Sequence, residues 1–105
     1  MTATALSFEL ARMEPSQVIS CLSALAHPTR LGAVTVLLSE PDGLPAGEIA
    51  RRLDVAQNTM SAHLKTLASV GLVAGRRSGK VISYQTELAL LRRLGTFFTQ
   101  LTDRR

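Results

Sequence analysis

Residues 46–69 read AGEIARRLDVAQNTMSAHLKTLAS and hold two helical patterns separated by a tight turn. Apolar residues recur every three or four positions, as one face of an amphipathic helix requires, at Ile49, Leu53, Met60, Leu64 and Leu67. The pattern predicts a short helix from about residue 46 to 53, a turn at residues 54–55, and a second helix from about residue 56 or 57 to 69. The second helix therefore keeps a polar face, made of Gln57, Asn58, Ser61, Lys65 and Thr66.

The sequence changes its period after this pair of helices. Gly71 is placed to end the second helix, and β-prone residues follow at 72–74 and 81–85. Between these two runs lies Gly75-Arg76-Arg77-Ser78-Gly79-Lys80, a basic loop bounded by glycines. We therefore predict a β-hairpin with a basic tip.

A last helix is predicted after the hairpin, with apolar residues spaced 3, 3, 4 and 3 apart at Leu88, Leu91, Leu94, Phe98 and Leu101. Little of the domain remains to cover that stripe, so we expect it to pack on another subunit. The pair Phe97 and Phe98 has two interpretations, the core of that interface or the wall of a ligand pocket, and the first is favoured.

Two more helices are predicted before residue 46, one after Pro15 and one that opens at Pro28. Their apolar faces are predicted at Val18, Leu22 and Leu25 and at Leu31, Val34, Leu37 and Leu38. A turn is predicted at residues 41–43, which read Pro-Asp-Gly. Residues 1–13 are expected to form a loose helix or a frayed arm, and residues 14–105 a single domain that is mainly α-helical with a small β-hairpin wing.

Composition restricts the class of protein. The 105 residues are 46% hydrophobic and 19% charged, which is typical of one globular domain, and a core of this size is often completed by oligomerisation. The single cysteine, Cys21, excludes an internal disulfide and favours a reducing compartment. The longest apolar run, residues 31–38, is too short to span a bilayer, and residues 1–9 lack the early base of a signal peptide. We therefore predict a cytoplasmic protein with no membrane partner.

Positive charge is concentrated in the middle of the chain. The formal net charge is +4, and residues 46–86 alone carry six bases and two acids. Residues 55–86 contain no acid at all. Such a stretch suits a surface that meets phosphate, and the alternative is a basic face that meets only solvent.

Two short helices followed by a basic hairpin predict a winged helix-turn-helix, which fits duplex DNA. The second helix is narrow enough for the major groove, where amides pair with adenine and hydroxyls reach bases or phosphates. The hairpin tip would lie on phosphates or enter the minor groove. One module makes few contacts, so we expect a two-fold dimer on a near-palindromic site with half-sites roughly 34–36 Å apart, or a multiple of that spacing.

Four segments in order resemble the ArsR/SmtB repressors: residues 25–31 (LAHPTRL), 47–53 (GEIARRL), 57–65 (QNTMSAHLK), and 71–73 with 76–80 (GLV and RRSGK). The resemblance covers roughly residues 18–101. It implies a homodimer that pairs through the first and last helices, binds operator DNA and releases it when an effector binds. It also implies a recognition face of Gln57, Asn58, Thr59, Ser61, His63 and Lys65. Phosphate contacts are expected from Lys65 and from the wing residues Arg76, Arg77 and Lys80, and Ser78 of the wing is also a candidate DNA-binding residue.

The effector does not carry over from the family. Members that sense soft metals have Cys-x-Cys where this chain has Pro45, Ala46 and Gly47, and members that sense zinc or nickel use Asp and His pairs on the last helix, which has no histidine here. Residues 43–50 (GLPAGEIA) are similar to those of arsenite sensors that carry cysteines at the C-terminus. Residues 97–105 of this chain contain no cysteine. Ala62 also replaces a common Arg of the family. A metalloid or redox signal is the favoured effector class, and an organic ligand, or none, is the alternative.

Three side chains have both a structural and a functional interpretation. Cys21 is either a buried small hydrophobe or a thiol that meets its symmetry mate as a redox or effector site. His27 is expected to be a hydrogen-bonded structural histidine. His63 is expected either to pack or to contact phosphate.

Little in the sequence favours an enzyme. Residues 75–81 only faintly echo a phosphate-binding loop, because the spacing is wrong and Val81 replaces the Ser or Thr that would hold Mg²⁺. The two histidines and the cysteine lie in separate segments, so no nucleophile–base pair is indicated. We predict no enzymatic activity, no cofactor and no metal site within one chain. A winged helix that docks proteins instead of DNA is the remaining alternative.

Overall fold

The computed structural model describes the backbone of residues 3–103 and the side chains of residues 5–103. Over these residues the elements run, in chain order, α1 (Ala3–Ala11), α2 (Pro15–Leu25), α3 (Pro28–Leu38), β1 (Leu44–Pro45), α4 (Ala46–Leu53), α5 (Gln57–Ser69), β2 (Val73–Ser78), β3 (Val81–Thr86) and α6 (Leu88–Thr102). The predicted fold class, mainly α with a small β wing, is confirmed.

The helix-turn-helix consists of α4 and α5, whose bounds agree with the predicted ones. Asp54 takes the left-handed conformation (φ 55°, ψ 49°), which ends α4 and reverses the chain within a short turn. Gly71 ends α5 at φ 83°, and the Leu72 amide donates back to the Leu67 carbonyl at 3.0 Å. That bond is typical of a helix ended by glycine, so the role predicted for Gly71 is confirmed.

The core lies where α3, α4 and α5 meet the base of the hairpin. Fully buried large side chains include Ile49, Met60, Leu64, Leu67 and Leu72. Four of them are predicted core positions, and Leu72 follows the turn that ends α5. Because α5 buries one face completely, its other face is fixed toward solvent.

The wing is longer than the sequence predicts. Residues 76–78, expected in a loop, continue β2 and pair with β3 in antiparallel register down to Ser78 and Val81. Only Gly79 and Lys80 form the turn, and Gly79 has φ 63°, as the first position of a tight hairpin turn requires. The two glycines of this segment therefore do not bound one loop, because Gly75 lies inside the strand.

A third strand, β1, extends the hairpin into a sheet of order β1-β3-β2. Leu44 pairs with Tyr84 and Pro45 with Ser83. A two-residue strand has no periodicity to detect, so the sequence did not indicate it. Because α4 begins at Ala46, immediately after β1, the sheet fixes the start of the helix-turn-helix.

Helix α1 packs along α6. The rings of Phe8 and Phe97 lie 4.6 Å apart between their centroids. The Arg93 guanidinium donates to the Ala11 carbonyl at 3.3 Å and to the Arg12 carbonyl, which places a positive charge at the carboxyl end of α1. Of the two alternatives for residues 1–13, the helix is the one that forms over Ala3–Ala11, while residues 1 and 2 lie outside the described part of the chain.

The predicted faces of α2 and α3 are partly wrong, whereas the predicted stripe of α6 is left partly uncovered, as expected of a stripe that another subunit would cover. In α6 Leu90, Leu94 and Phe97 turn inward, and Leu88 and Phe98 of the predicted stripe are exposed. In α2 and α3 small residues fill the interior, and three predicted core leucines are exposed: Leu22, Leu31 and Leu38. Cys21, Ala24 and Ala33 are each at most 4% exposed, so small side chains occupy interior positions of α2 and α3 that the leucine pattern did not indicate.

No single helix within the described residues has the length and apolar composition needed to cross a membrane. The bent pair α2 and α3, which meet at 98°, passes that test only when its two helices are counted together.

Candidate nucleic-acid interface

The exposed face of α5 brings together most of the predicted recognition residues. Gln57, Asn58 and Thr59 form its first turn and are exposed, Lys65 is exposed, and Ser61 is half-buried between them. Residues 57, 61 and 65 are four apart and therefore lie above one another on one face of the helix. This face carries amides, hydroxyls and one ammonium, and it has no carboxylate.

His63 stands apart from that face. It is half-buried, and its ring lies 4.4 Å from the ring of His27, measured between centroids. Burial lowers the pKa of His63, and the nearby charges of His27 and Arg30 lower it further. The Nδ1 atom of His27 accepts a hydrogen bond from the Thr29 amide at 3.1 Å, so the structural role predicted for His27 is confirmed. The ring contact with His27 and the half-buried position favour the packing interpretation of His63.

The wing carries its bases on two opposite faces. Arg76, Arg77, Ser78 and Lys80 are all exposed. Arg77 pairs in register with Ile82, and Gly75, two residues before it, pairs with Tyr84. Directly paired residues and residues two apart share a face of the sheet. Arg77 therefore lies on the face of Ile82 and Tyr84, while Arg76 and Ser78 lie on the other.

A cleft of about 360 Å³ separates α5 from the wing. Gln57 and Ser61 line it on one side, and Lys80, Ile82 and Tyr84 on the other. Its far end is closed by β1 and the start of α4. Ile82 and Tyr84, which share the Arg77 face of the wing, line the cleft, and Val81 of the opposite face borders it near the hairpin tip. The cleft therefore lies between the polar face of α5 and the wing.

Known proteins with this arrangement share sequence with the chain. A family profile described as a helix-turn-helix domain matches residues 25–76. The chain is 41% identical over 69 residues to the HTH-type transcriptional regulator NmtR of Mycobacterium tuberculosis, which covers 66% of this chain and 56% of that protein. The solved structure of an ArsR-like transcriptional regulator from Rhodococcus sp. RHA1 superposes with a TM-score of 0.73 at 26% identity, over 85% of this chain and 82% of that one.

The chain belongs to the ArsR/SmtB family. A further structural neighbour is the homodimeric winged helix-turn-helix DNA-binding domain (fragment 1–100) of Mb0332 from Mycobacterium bovis, described as a possible ArsR-family transcriptional regulator. It matches with a TM-score of 0.69 at 28% identity, over 85% of this chain and 80% of that one. The matches span little more than half the length of the curated relatives, between 54% and 58% for the first three. The relatives are named as transcriptional regulators, which agrees with the prediction of a regulator.

Two bases of this ArsR/SmtB-family chain are neutralised locally. Glu48 accepts from Arg51 at 2.5 Å and from Arg52 at 3.1 Å, and Arg52 also reaches Glu40 at 2.8 Å. The hydrogen bonds from Arg51 and Arg52 lower the pKa of Glu48 to about 2. The summed charge of residues 46–86 overstates the charge that is available to bind phosphate, because both arginines of α4 form ion pairs with acidic side chains. The unpaired bases nearest the cleft are on α5 and on the wing.

Cys21 is fully buried on α2. Burial raises the pKa of its thiol, and the charge of Arg93 lowers it to a smaller extent. Because the thiolate is the nucleophile and the metal ligand, a raised pKa favours the packing interpretation. Among residues 5–103, no three His, Cys, Asp or Glu side chains are grouped closely enough to hold a metal ion.

Proposed function

We propose that this chain is a sequence-specific DNA-binding repressor that acts as a homodimer and leaves its operator when an effector binds. The observation that carries the proposal is the cleft between α5 and the wing, whose two walls present amides, hydroxyls and bases. Gln57, Asn58, Thr59 and Ser61 are the proposed base-reading residues, and Lys65, Arg77 and Lys80 the proposed phosphate contacts. His63 takes a supporting role behind that face.

Exposed apolar side chains on the terminal helices support the homodimer. Leu6 and Leu10 of α1, Ile19 of α2, and Leu88 and Phe98 of α6 are each between 42% and 66% exposed. Because α1 packs along α6, we infer that the exposed side chains of these helices form one patch, and such patches mark protein–protein interfaces. The homodimeric state of the Mb0332 domain, a structural neighbour, also supports this assembly.

The test is binding to duplex DNA as salt is varied. A preferred sequence is selected from a random duplex library, and the affinity of the full chain is measured by fluorescence anisotropy between 50 and 200 mM salt. If the dimer neutralises about 5–8 phosphates, log K falls with log[salt] at a slope of roughly −4.5 to −7. A flat titration, with no sequence enriched, would favour a protein-docking winged helix and overturn the proposal.

The effector is proposed to be a metalloid or a redox signal, with an organic ligand as the alternative. The bound complex is challenged with arsenite, zinc, an oxidant and a reductant, and release is followed by anisotropy. Cys21→Ala keeps a small apolar group in the core and removes the thiol. If this variant responds to every inducer as the parent does, Cys21 has no sensing role.

A further inference from the structure

Gly47 lies directly beneath the side chain of Gln57. It is the second residue of α4, and Gln57 is the first residue of α5. A methyl group added at Gly47 would stand 3.0 Å from Oε1, 3.4 Å from Cδ and 3.7 Å from Nε2 of Gln57. The terminal amide of Gln57 therefore lies close to the position that a side chain at residue 47 would occupy.

The backbone conformation of Gly47 does not itself require glycine. Positive φ angles among the glycines occur at Gly43, Gly71 and Gly79, and Gly47 instead has a helical backbone that alanine adopts easily. Glycine within a helix is less favourable than alanine, so it calls for another reason, and close approach of a neighbour is the usual one. The approaching neighbour here is the Gln57 amide.

Gly47 bounds the Gln57 side chain on one side. Within the described residues, no hydrogen bond holds its amide, and the residue as a whole is exposed. Its other side borders the cleft shared with Ser61 and the wing. A glutamine amide reads adenine through two parallel hydrogen bonds, and that geometry tolerates little displacement.

We propose that Gly47 is a positioning residue for Gln57, and that its bare backbone sets where the amide stands and hence the base preferred at one position of each half-site. The proposal rests on the proposed function. It assigns to α4 a part in sequence preference although Gly47 has no side chain with which to touch DNA.

The test is Gly47→Ala measured against a panel of operator duplexes that differ by single base pairs. A 3.0 Å contact with the end of a flexible side chain is relieved by moving the amide, so the variant folds, and its thermal midpoint stays equal or rises. We expect the preference at one symmetric pair of operator positions to fall by about 5-fold or more, the lower bound for losing one bidentate base contact. The other positions keep their preferences.

Two further variants serve as controls. Gly95→Ala makes the same change in α6, where an added methyl group meets nothing within 4 Å of its own subunit. Because Gly95 shares a face of α6 with Leu88 and Phe98 of the proposed dimer interface, any effect on dimerisation changes the affinity for all duplexes alike and leaves the pattern of preferences unchanged. Gln57→Ala removes the preference at the same operator position, and adding Gly47→Ala to it changes the panel no further. Independent effects of the two substitutions, or a uniform loss over the whole panel, would overturn the proposal.

A readout without DNA separates this inference from the proposed function. The side-chain amide resonances of Gln57 are followed by NMR in the free protein, and Gly47→Ala is expected to shift them while Gly95→Ala does not. If the parent chain binds no duplex, the proposed function fails and the amide resonances still report on the contact. Unchanged Gln57 resonances in Gly47→Ala would refute the positioning role.

Discussion

Replacing Arg77 by alanine should weaken the salt dependence of DNA binding more than replacing Arg76. Both residues are exposed on β2, and both changes remove one positive charge. The register places Arg77 on the face of Ile82, a residue that lines the cleft, and Arg76 on the opposite face, paired with Ser83. The two variants remove the same charge from the same strand and differ only in the face of the wing from which it is removed. Each therefore serves as a matched control for the other.

The size of the effect follows from counting phosphates. A dimer has two wings, so Arg77→Ala removes two phosphate contacts, and the slope of log K against log[salt] becomes less steep by about 1.8, at about 0.9 per contact. Between 50 and 200 mM salt, the variant therefore loses about tenfold less affinity than the parent. Arg76→Ala is expected to change the slope by less than half as much.

Fluorescence anisotropy with one labelled operator gives both slopes. The preferred sequence stays the same in both variants, because phosphate contacts carry no base information. Equal slope changes for the two variants, or a larger change for Arg76→Ala, would refute the assignment of the wing faces.

Two further predictions concern stability. The pKa of Glu48 is lowered to about 2, so its ion pairs contribute at pH values above its ordinary pKa of 4.5 and are lost as the pH falls through about 2. Glu48→Gln should flatten the acid limb of the stability curve, as followed by circular dichroism, and a Glu48 carboxyl that titrates near 4.5 by NMR would contradict this. Arg93→Met keeps the aliphatic stem and removes the bonds to the end of α1, which should cost about 1.5–3 kcal/mol of local stability. Hydrogen exchange should quicken in α1 before α5, and equal rates in both helices would show that α1 is held by its apolar contacts alone.

The central helices could be predicted closely from the sequence because several signals agree there. In α5, Met60, Leu64 and Leu67 all lie on one face and are all fully buried, and Gly71 marks the end. Opposite that face the residues are polar, so only one orientation buries the apolar atoms. The sequence pattern and the tertiary packing therefore both bury the same face of α5.

The face of α6 could not be predicted because that helix is apolar on more than one side. Leu88, Leu91, Leu94, Phe98 and Leu101 form one regular stripe, and Leu90, Leu94 and Phe97 form another. Both have helical spacing, and only contact with α1 decides that the second faces inward. The first stripe is left partly exposed, where the proposed subunit partner would cover it.

The sequence predicts which residues form the candidate site better than it predicts where their side chains lie. Gln57 and Lys65 are predicted from the polar face of α5. The opposite faces of Arg76 and Arg77 depend on a strand pairing that the sequence does not indicate, because residues 75–80 have the composition of a loop. The resemblance placed His63 on the recognition face because it is a polar residue of the recognition helix. In the structure it packs on His27, which lies 36 residues earlier in the chain, so no local sequence pattern indicates the contact.

The short strand β1 makes the wing and the helix-turn-helix one stiff body. It pairs with β3 through Leu44 and Pro45, and α4 starts at the next residue, so no loop separates the sheet from the helix that supports α5. We therefore expect the separation between α5 and the wing to stay constant within one subunit. Adjustment to a different half-site spacing would then occur between subunits or by bending of the duplex.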